Sequence, residues 1–126
     1  MKIFLVEDSD VILGHLRRVV SEIPGAEVIA EANSQDDAIA GIAACRPDVV
    51  ILDLTLARGN GIEVLRRVRP LWPALRIIVL TNKSAPQYRN TCLALGADAF
   101  LDKSRDFEDL ALHLAMPQSQ PRADRR

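Results

Sequence analysis

The feature that most limits what this chain can fold into is a run of four apolar residues, Val49-Val50-Ile51-Leu52, set between Pro47-Asp48 and Asp53. Three of the four are β-branched, and the run is too short for a buried helix. Such a run, with a proline before it and a glycine-bearing loop after it, reads as a strand covered on both faces. The pattern recurs along the chain. Ile3-Phe4-Leu5-Val6 ends in Glu7-Asp8, Ile77-Ile78-Val79-Leu80 ends in Thr81-Asn82-Lys83, and Ala99-Phe100-Leu101 ends in Asp102-Lys103. Glu27-Val28-Ile29-Ala30-Glu31 is polar at both ends, as an edge strand should be.

Helical spacing fills the intervals. Ser9 or Asp10 caps a helix with Ile12, Leu16, Val19, Val20 and Ile23 inward and His15 on the polar side, stopped by Pro24-Gly25. Asn33-Ser34 opens a second, with Asp36 and Asp37 in its first turn and Ala38, Ile39, Ile42, Ala43 and Cys45 on its buried side. The loop after Asp53 holds Gly59 and Gly61, so part of it needs positive φ. It leads into a third helix with Ile62, Leu65 and Val68 inward and Arg66, Arg67 and Arg69 outward as a solvated face. Pro70 and Pro73 end that helix around Trp72, which packs at a core edge. Ser84-Ala85-Pro86-Gln87 has capping-box spacing for a helix to about Leu95, ended by Gly96. A last helix starts near Ser104 or Asp106 and carries Phe107, Leu110, Ala111 and Leu114. One domain over 1–116 is expected, followed by a disordered polar tail, 117–126.

Strand and helix alternate about five times, which implies an α/β fold: parallel strands, right-handed crossovers and helices on both faces of one sheet. The 126 residues can bury a core without disulfides, and 4% aromatics make that core aliphatic. A net charge of -1 offers no footprint for nucleic acid or an anionic membrane, so neither is expected as a partner. No apolar run approaches membrane-spanning length, and the start of the chain goes straight into a strand rather than a signal peptide. Cys45 and Cys92 read as reduced core thiols of a cytoplasmic protein.

In a parallel sheet every strand ends on one edge. Glu7, Asp8, Asp53, Thr81 and Lys103 come from four separated pieces of sequence, yet this topology puts them on one rim, where open α/β sheets bind ligands. Carboxylates held close resist ionising together unless a cation joins them. A hard divalent ion with oxygen ligands, Mg²⁺ above all, resolves this. Lys103 adds a compact positive charge and Thr81 a hydroxyl donor. Metal, ammonium and hydroxyl are what a transferring phosphoryl group needs around its oxygens, and Asp53 among them can be the nucleophile.

With these residues in place, the chain resembles a response regulator receiver domain of bacterial two-component signalling, of the single-domain, chemotaxis-regulator-like kind, over about residues 1–115. The resemblance is carried by Glu7-Asp8, by Asp53 and Thr81 at their strand ends, and by Phe100-Leu101-Asp102-Lys103. It implies a flavodoxin-like, doubly wound (βα)5 fold with a five-stranded parallel sheet in order 2-1-3-4-5. It also implies a phosphoprotein in which Asp53 accepts a phosphoryl group from a histidine kinase or histidine phosphotransfer protein. Asp8, Asp53 and the backbone carbonyl of Thr55 would hold Mg²⁺, with Glu7 acting through water. Lys103 would pair with the phosphoryl oxygens, Thr81 would move to bond them, and Phe100 would change rotamer with it. Such a chain is no enzyme beyond its own phosphorylation and dephosphorylation, and it controls a downstream protein. The output is expected through the helix after Thr81, the Phe100 strand and the final helix, with the Arg122–Arg126 tail as the rival docking element.

Three positions depart from the family pattern. Ala57 stands where proline is frequent, Asn82 replaces a very small residue and narrows access to the acyl phosphate, and Ser104 replaces a proline, so the bond before it is expected to be trans. A dinucleotide loop at Gly59-Asn60-Gly61 fails for want of the third glycine. An aspartate-nucleophile phosphatase of the haloacid dehalogenase type fails because Asp53-Leu54-Thr55 lacks the second aspartate. A degenerate receiver, binding partners without phosphorylation, is opposed by the complete residue set. Oligomeric state is left open.

Overall fold

Every residue of the run Val49–Leu52 is buried, as its composition requires, and the other elements are laid around it. The structure is a computed structural model that describes residues 1–115; the tail expected to be disordered, 117–126, lies outside the described residues. The elements follow in strict alternation: β1 (Lys2–Val6), α1 (Asp10–Ser21), β2 (Glu27–Ala32), α2 (Gln35–Cys45), β3 (Val49–Leu52), α3 (Gly61–Val68), β4 (Arg76–Thr81), α4 (Pro86–Ala94), β5 (Ala99–Asp102) and α5 (Phe107–Ala115). The five strands are parallel and lie in the order β2-β1-β3-β4-β5, the doubly wound arrangement expected. β2 is the half-exposed edge.

Alternate strand residues feed two cores. Phe4, Val6, Val50, Leu52, Ile77 and Val79 face α2, α3 and α4, while Ile3, Leu5, Val49, Ile51, Ile78 and Leu80 face α1 and α5. Period-two alternation makes each central strand apolar on both sides, so the sequence shows unbroken apolar runs. Three helices begin on side-chain caps. Ser9 Oγ accepts from the Ile12 N–H, Ser34 Oγ from Asp37 and Asn60 Oδ1 from Glu63.

Three local expectations need correction. The capping box at Ser84 does not form: α4 is capped by Ala85 without a side-chain bond and relies on Pro86 at its first position. α5 starts at Phe107, in keeping with the expected start near Asp106, while Ser104 is bonded back to Asp102. On α2, Ala43 is exposed, and Gly41 takes the inward place, where a Cβ would stand 2.6 Å from the Phe4 ring. Arg69 does not join Arg66 and Arg67 on the surface. Its side chain is 12% exposed and donates to the carbonyls of Gly96, Trp72, Pro73 and Leu75 and to the Asp98 carboxylate. A planar cation with five donors can satisfy several stranded carbonyls at once, and that outweighs the pull of solvent here. Trp72 is half-buried against the core as expected, with the Arg46 guanidinium 5.5 Å from its ring centre.

Candidate functional site

Parallel register delivers the site. Leu52 pairs with Val6 and with Val79, so the residues that follow β1 and β3 emerge side by side at the C-terminal edge of the sheet. The Asp53 N–H donates to the Val6 carbonyl at 2.9 Å, which extends the ladder one residue past β3. Glu7, Asp8 and Asp53 thereby offer carboxylate oxygens all within 4.8 Å of one another, with Glu7 and Asp53 buried and Asp8 exposed. From the other side, β4 and β5 place Thr81 against Asp102, and the next residue, Lys103, donates its N–H to the Thr81 carbonyl at 3.1 Å.

Lys103 then closes the arrangement. Its Nζ lies 2.6 Å from Glu7 Oε1 and 2.9 Å from Asp53 Oδ2, and its side chain is only slightly more exposed than theirs. Burial alone would lower the ammonium, but its hydrogen bonds to Asp53 and Glu7 outweigh this and hold it above its ordinary value. Burial raises the Glu7 carboxyl, against hydrogen bonds from Lys103 and from the Ser9 N–H at 3.0 Å. Asp53 Oδ1 accepts from the Thr55 N–H at 3.3 Å, so each oxygen of this carboxylate is oriented by a different donor. The Thr81 hydroxyl, fully buried, accepts from the Lys83 N–H at 3.1 Å within its own loop. Phe100 packs its ring in the α2–α3–α4 core, away from the carboxylates, and its carbonyl lies 3.5 Å from an Arg89 nitrogen. Thr55, Ala57 and Asn82 are exposed, and the bond before Ser104 is trans.

Three carboxylates against one ammonium leave the cluster negative, and its donors are all oxygens. That set suits a hard divalent cation better than a soft one. A cavity of about 350 Å³ under Trp72, lined by Arg46, Asp48 and Leu71, lies at the opposite edge of the sheet and has no part in this chemistry.

The loop after Asp53 contains the positive φ expected of it, and Gly61 adds a second constraint beside the site. Positive φ falls on Gly59, at 77°, whereas Gly61 is needed for close approach: a Cβ there would stand 2.2 Å from the Asp53 carbonyl oxygen and 2.9 Å from Leu54 Cα. The Gly61 N–H also donates to the Leu54 carbonyl at 2.9 Å. Gly61→Ala is expected to push the Asp53–Leu54 backbone aside and to destabilise the fold by about 1–3 kcal/mol, as overpacking does. Urea denaturation checks this, and an unchanged midpoint would show that the loop yields without cost.

The family model for the response regulator receiver domain matches residues 3–115. The chain is similar to the DNA-binding transcriptional activator DevR/DosR of Mycobacterium tuberculosis, 34% identical over 111 residues that cover 88% of this chain and 51% of that protein. It is 31% identical to the nitrate/nitrite response regulator protein NarL of Escherichia coli, over 90% of this chain and 53% of that one. Among solved structures, a LuxR-family two-component response regulator from Aurantimonas superposes with a TM-score of 0.83 at 31% identity, covering 90% of this chain and 81% of the other. The response regulator domain of Thermotoga maritima CheB, with a TM-score of 0.79 at 23% identity, shares the fold. The chain spans about half the length of the curated relatives it matches.

Proposed function

The chain belongs to the response regulator receiver family, and from that premise we propose that Asp53 is its phosphoacceptor, charged by a histidine kinase or histidine phosphotransfer protein. One observation carries this reading above the others: Lys103 Nζ bridges Asp53 and Glu7 at 2.9 and 2.6 Å, inside a buried set of side chains at the C-terminal edge of the sheet. The ammonium reaches across from β5 to carboxylates that follow β1 and β3, and is held where an added phosphoryl group would arrive.

In the proposed step an Asp53 oxygen attacks the phosphorus of a phosphohistidine. A P–O bond forms, the P–N bond breaks, and the electron pair leaves with the imidazole nitrogen, which takes a proton from water. Lys103, released from part of its pairing, turns to the phosphoryl oxygens. Asp8, Asp53 and the Thr55 carbonyl would hold Mg²⁺, with Glu7 through water, and the bound ion supplies positive charge to those oxygens. Thr81 exchanges the Lys83 N–H for the phosphoryl group and draws the β4–α4 loop inward, and Phe100 follows. The output is a protein contact on the α4–β5–α5 face made in the cytoplasm, with no DNA contact by this chain.

The direct test is incubation of the full chain with acetyl phosphate and Mg²⁺. It should gain one phosphoryl group that survives acid and is lost in base, and failure to label would overturn the reading. Thr81→Ala separates acceptance from switching. It should still be phosphorylated, because nucleophile and lysine remain, yet lose the amide shifts at Phe100 that follow phosphorylation. If those shifts match the wild type, Thr81 is not the switch.

A further inference from the structure

Four polar side chains are buried among the described residues: Glu7, Asp53, Thr81 and Asp102. The chemistry above employs the first three. Asp102 closes β5 one residue before Lys103 and is 7% exposed. It stands outside the carboxylate group that could hold a cation, which comprises Glu7, Asp8 and Asp53.

Its bonds all serve one turn. Asp102 Oδ1 accepts from the Ser104 N–H at 2.8 Å and from the Ser104 hydroxyl at 2.6 Å. Its own N–H donates to Asp106 Oδ2 at 3.0 Å, and its carbonyl accepts from the N–H groups of Arg105 at 3.2 Å and Asp106 at 2.7 Å. Residues 102–106 thus fold back on themselves with Lys103 at the bend. The Lys103 N–H is fixed to Thr81, and its stem reaches over to Asp53. Hydrogen bonds from the Ser104 hydroxyl and N–H hold the Asp102 carboxyl down at about 2, so it is ionised at neutral pH.

A lysine is a point charge on a flexible stem, and its reach is set by where its backbone starts. A misplacement of about 1 Å at a remote residue can cost on the order of a hundredfold in rate. We propose that Asp102 is a positioning residue for Lys103, fixing the turn from which the ammonium reaches Asp53. The proposal rests on the reading of Asp53 as phosphoacceptor.

The test uses the full chain carrying Asp102→Ala, Asp102→Asn or Ser104→Ala. Three quantities are measured: the acetyl phosphate labelling rate, divided into donor half-saturation and maximal rate; the Mg²⁺ affinity by calorimetry; and the Lys103 Nζ signal in lysine-labelled protein. Asp102→Ala should lower the maximal rate on the order of ten- to a hundredfold. It should also raise Mg²⁺ affinity, because the ammonium that competes for Glu7 and Asp53 is loosened. Asp102→Asn keeps an oxygen for Ser104 and should restore both. A purely structural role would lower rate and Mg²⁺ affinity together, and that result overturns the proposal, as does a wild-type rate in folded Asp102→Ala. If the alanine variant does not fold, Ser104→Ala, which removes one hydroxyl, should move rate and affinity in the same opposite directions, and no movement overturns the proposal. If the wild type itself takes no label, the reading of Asp53 fails on its own. Mg²⁺ affinity and the Lys103 signal then still decide Asp102: a raised affinity with a shifted signal supports it, and unchanged values overturn it.

Discussion

Asp53→Asn should take up no phosphoryl group from acetyl phosphate and Mg²⁺ under conditions that label the wild-type chain. The substitution keeps the shape of the side chain and removes its anionic oxygen. An amide oxygen is a poor nucleophile, and nothing else changes in the fold that would account for the loss. The variant should also fold well. Two acids, Glu7 and Asp8, then share the cluster instead of three, and Lys103 keeps its 2.6 Å pairing with Glu7. Removing a charged ligand should weaken Mg²⁺ binding by roughly 1.5–3 kcal/mol. Mass spectrometry of the intact chain reads the first effect and calorimetry the second. Equal labelling of Asp53→Asn would move the acceptor to another carboxylate, with Asp8 the first to examine.

The second large effect is expected from Lys103→Met. It should slow phosphorylation, because the positive charge facing the phosphoryl oxygens is gone. It should also destabilise the chain without Mg²⁺, by on the order of 3 kcal/mol, since two buried carboxylates lose their shared partner. Part of that loss should return when Mg²⁺ is added, because the ion can replace the missing charge, and urea denaturation with and without Mg²⁺ reads this. The pH dependence has a definite sign. In the wild type the Lys103 ammonium is held above its ordinary 10.5. The stability it contributes is therefore present below 10.5 and lost as pH rises through the folded value. Glu7 is raised above its ordinary 4.5, so in Lys103→Met the penalty should shrink on acidification, beginning above 4.5 as Glu7 takes up its proton. A penalty that does not change with pH would mean the loss is one of packing.

The strands, their common direction and the rim were legible because one physical signal governs them: a strand covered on both faces has to be apolar at every position. Asp53, Thr81 and Lys103 were legible for the complementary reason, as polar residues that stop such runs. Arg69 was not, because helical spacing says which side of the helix a residue starts from and not where a long side chain can bend. Gly61 was masked by Gly59, since a glycine needed for positive φ and one needed for close approach look alike in sequence. Asp102 gave a usable signal: an acid followed two residues later by serine is the spacing of a carboxylate that folds back on its own turn. The capping box at Ser84 misled because α4 begins one residue later than that spacing requires, with Ala85 at the cap and Pro86 in the first turn.

The two ends of α4 are anchored very unequally. At its beginning there is Ala85, which offers no side-chain cap, and at its close the Gly96 carbonyl is gripped at 3.0 Å by an arginine that also holds the 72–75 turn and Asp98. A helix tethered this way should behave as a hinged flap with its pivot on the far side of the sheet. In the role proposed for Thr81, the pull would fall at the free edge and be carried along the whole helix as a swing, with little sliding. Amide exchange in α4 should therefore run fastest from Gln87 and slow toward Leu95, and phosphorylation should change the first half of that gradient more than the second.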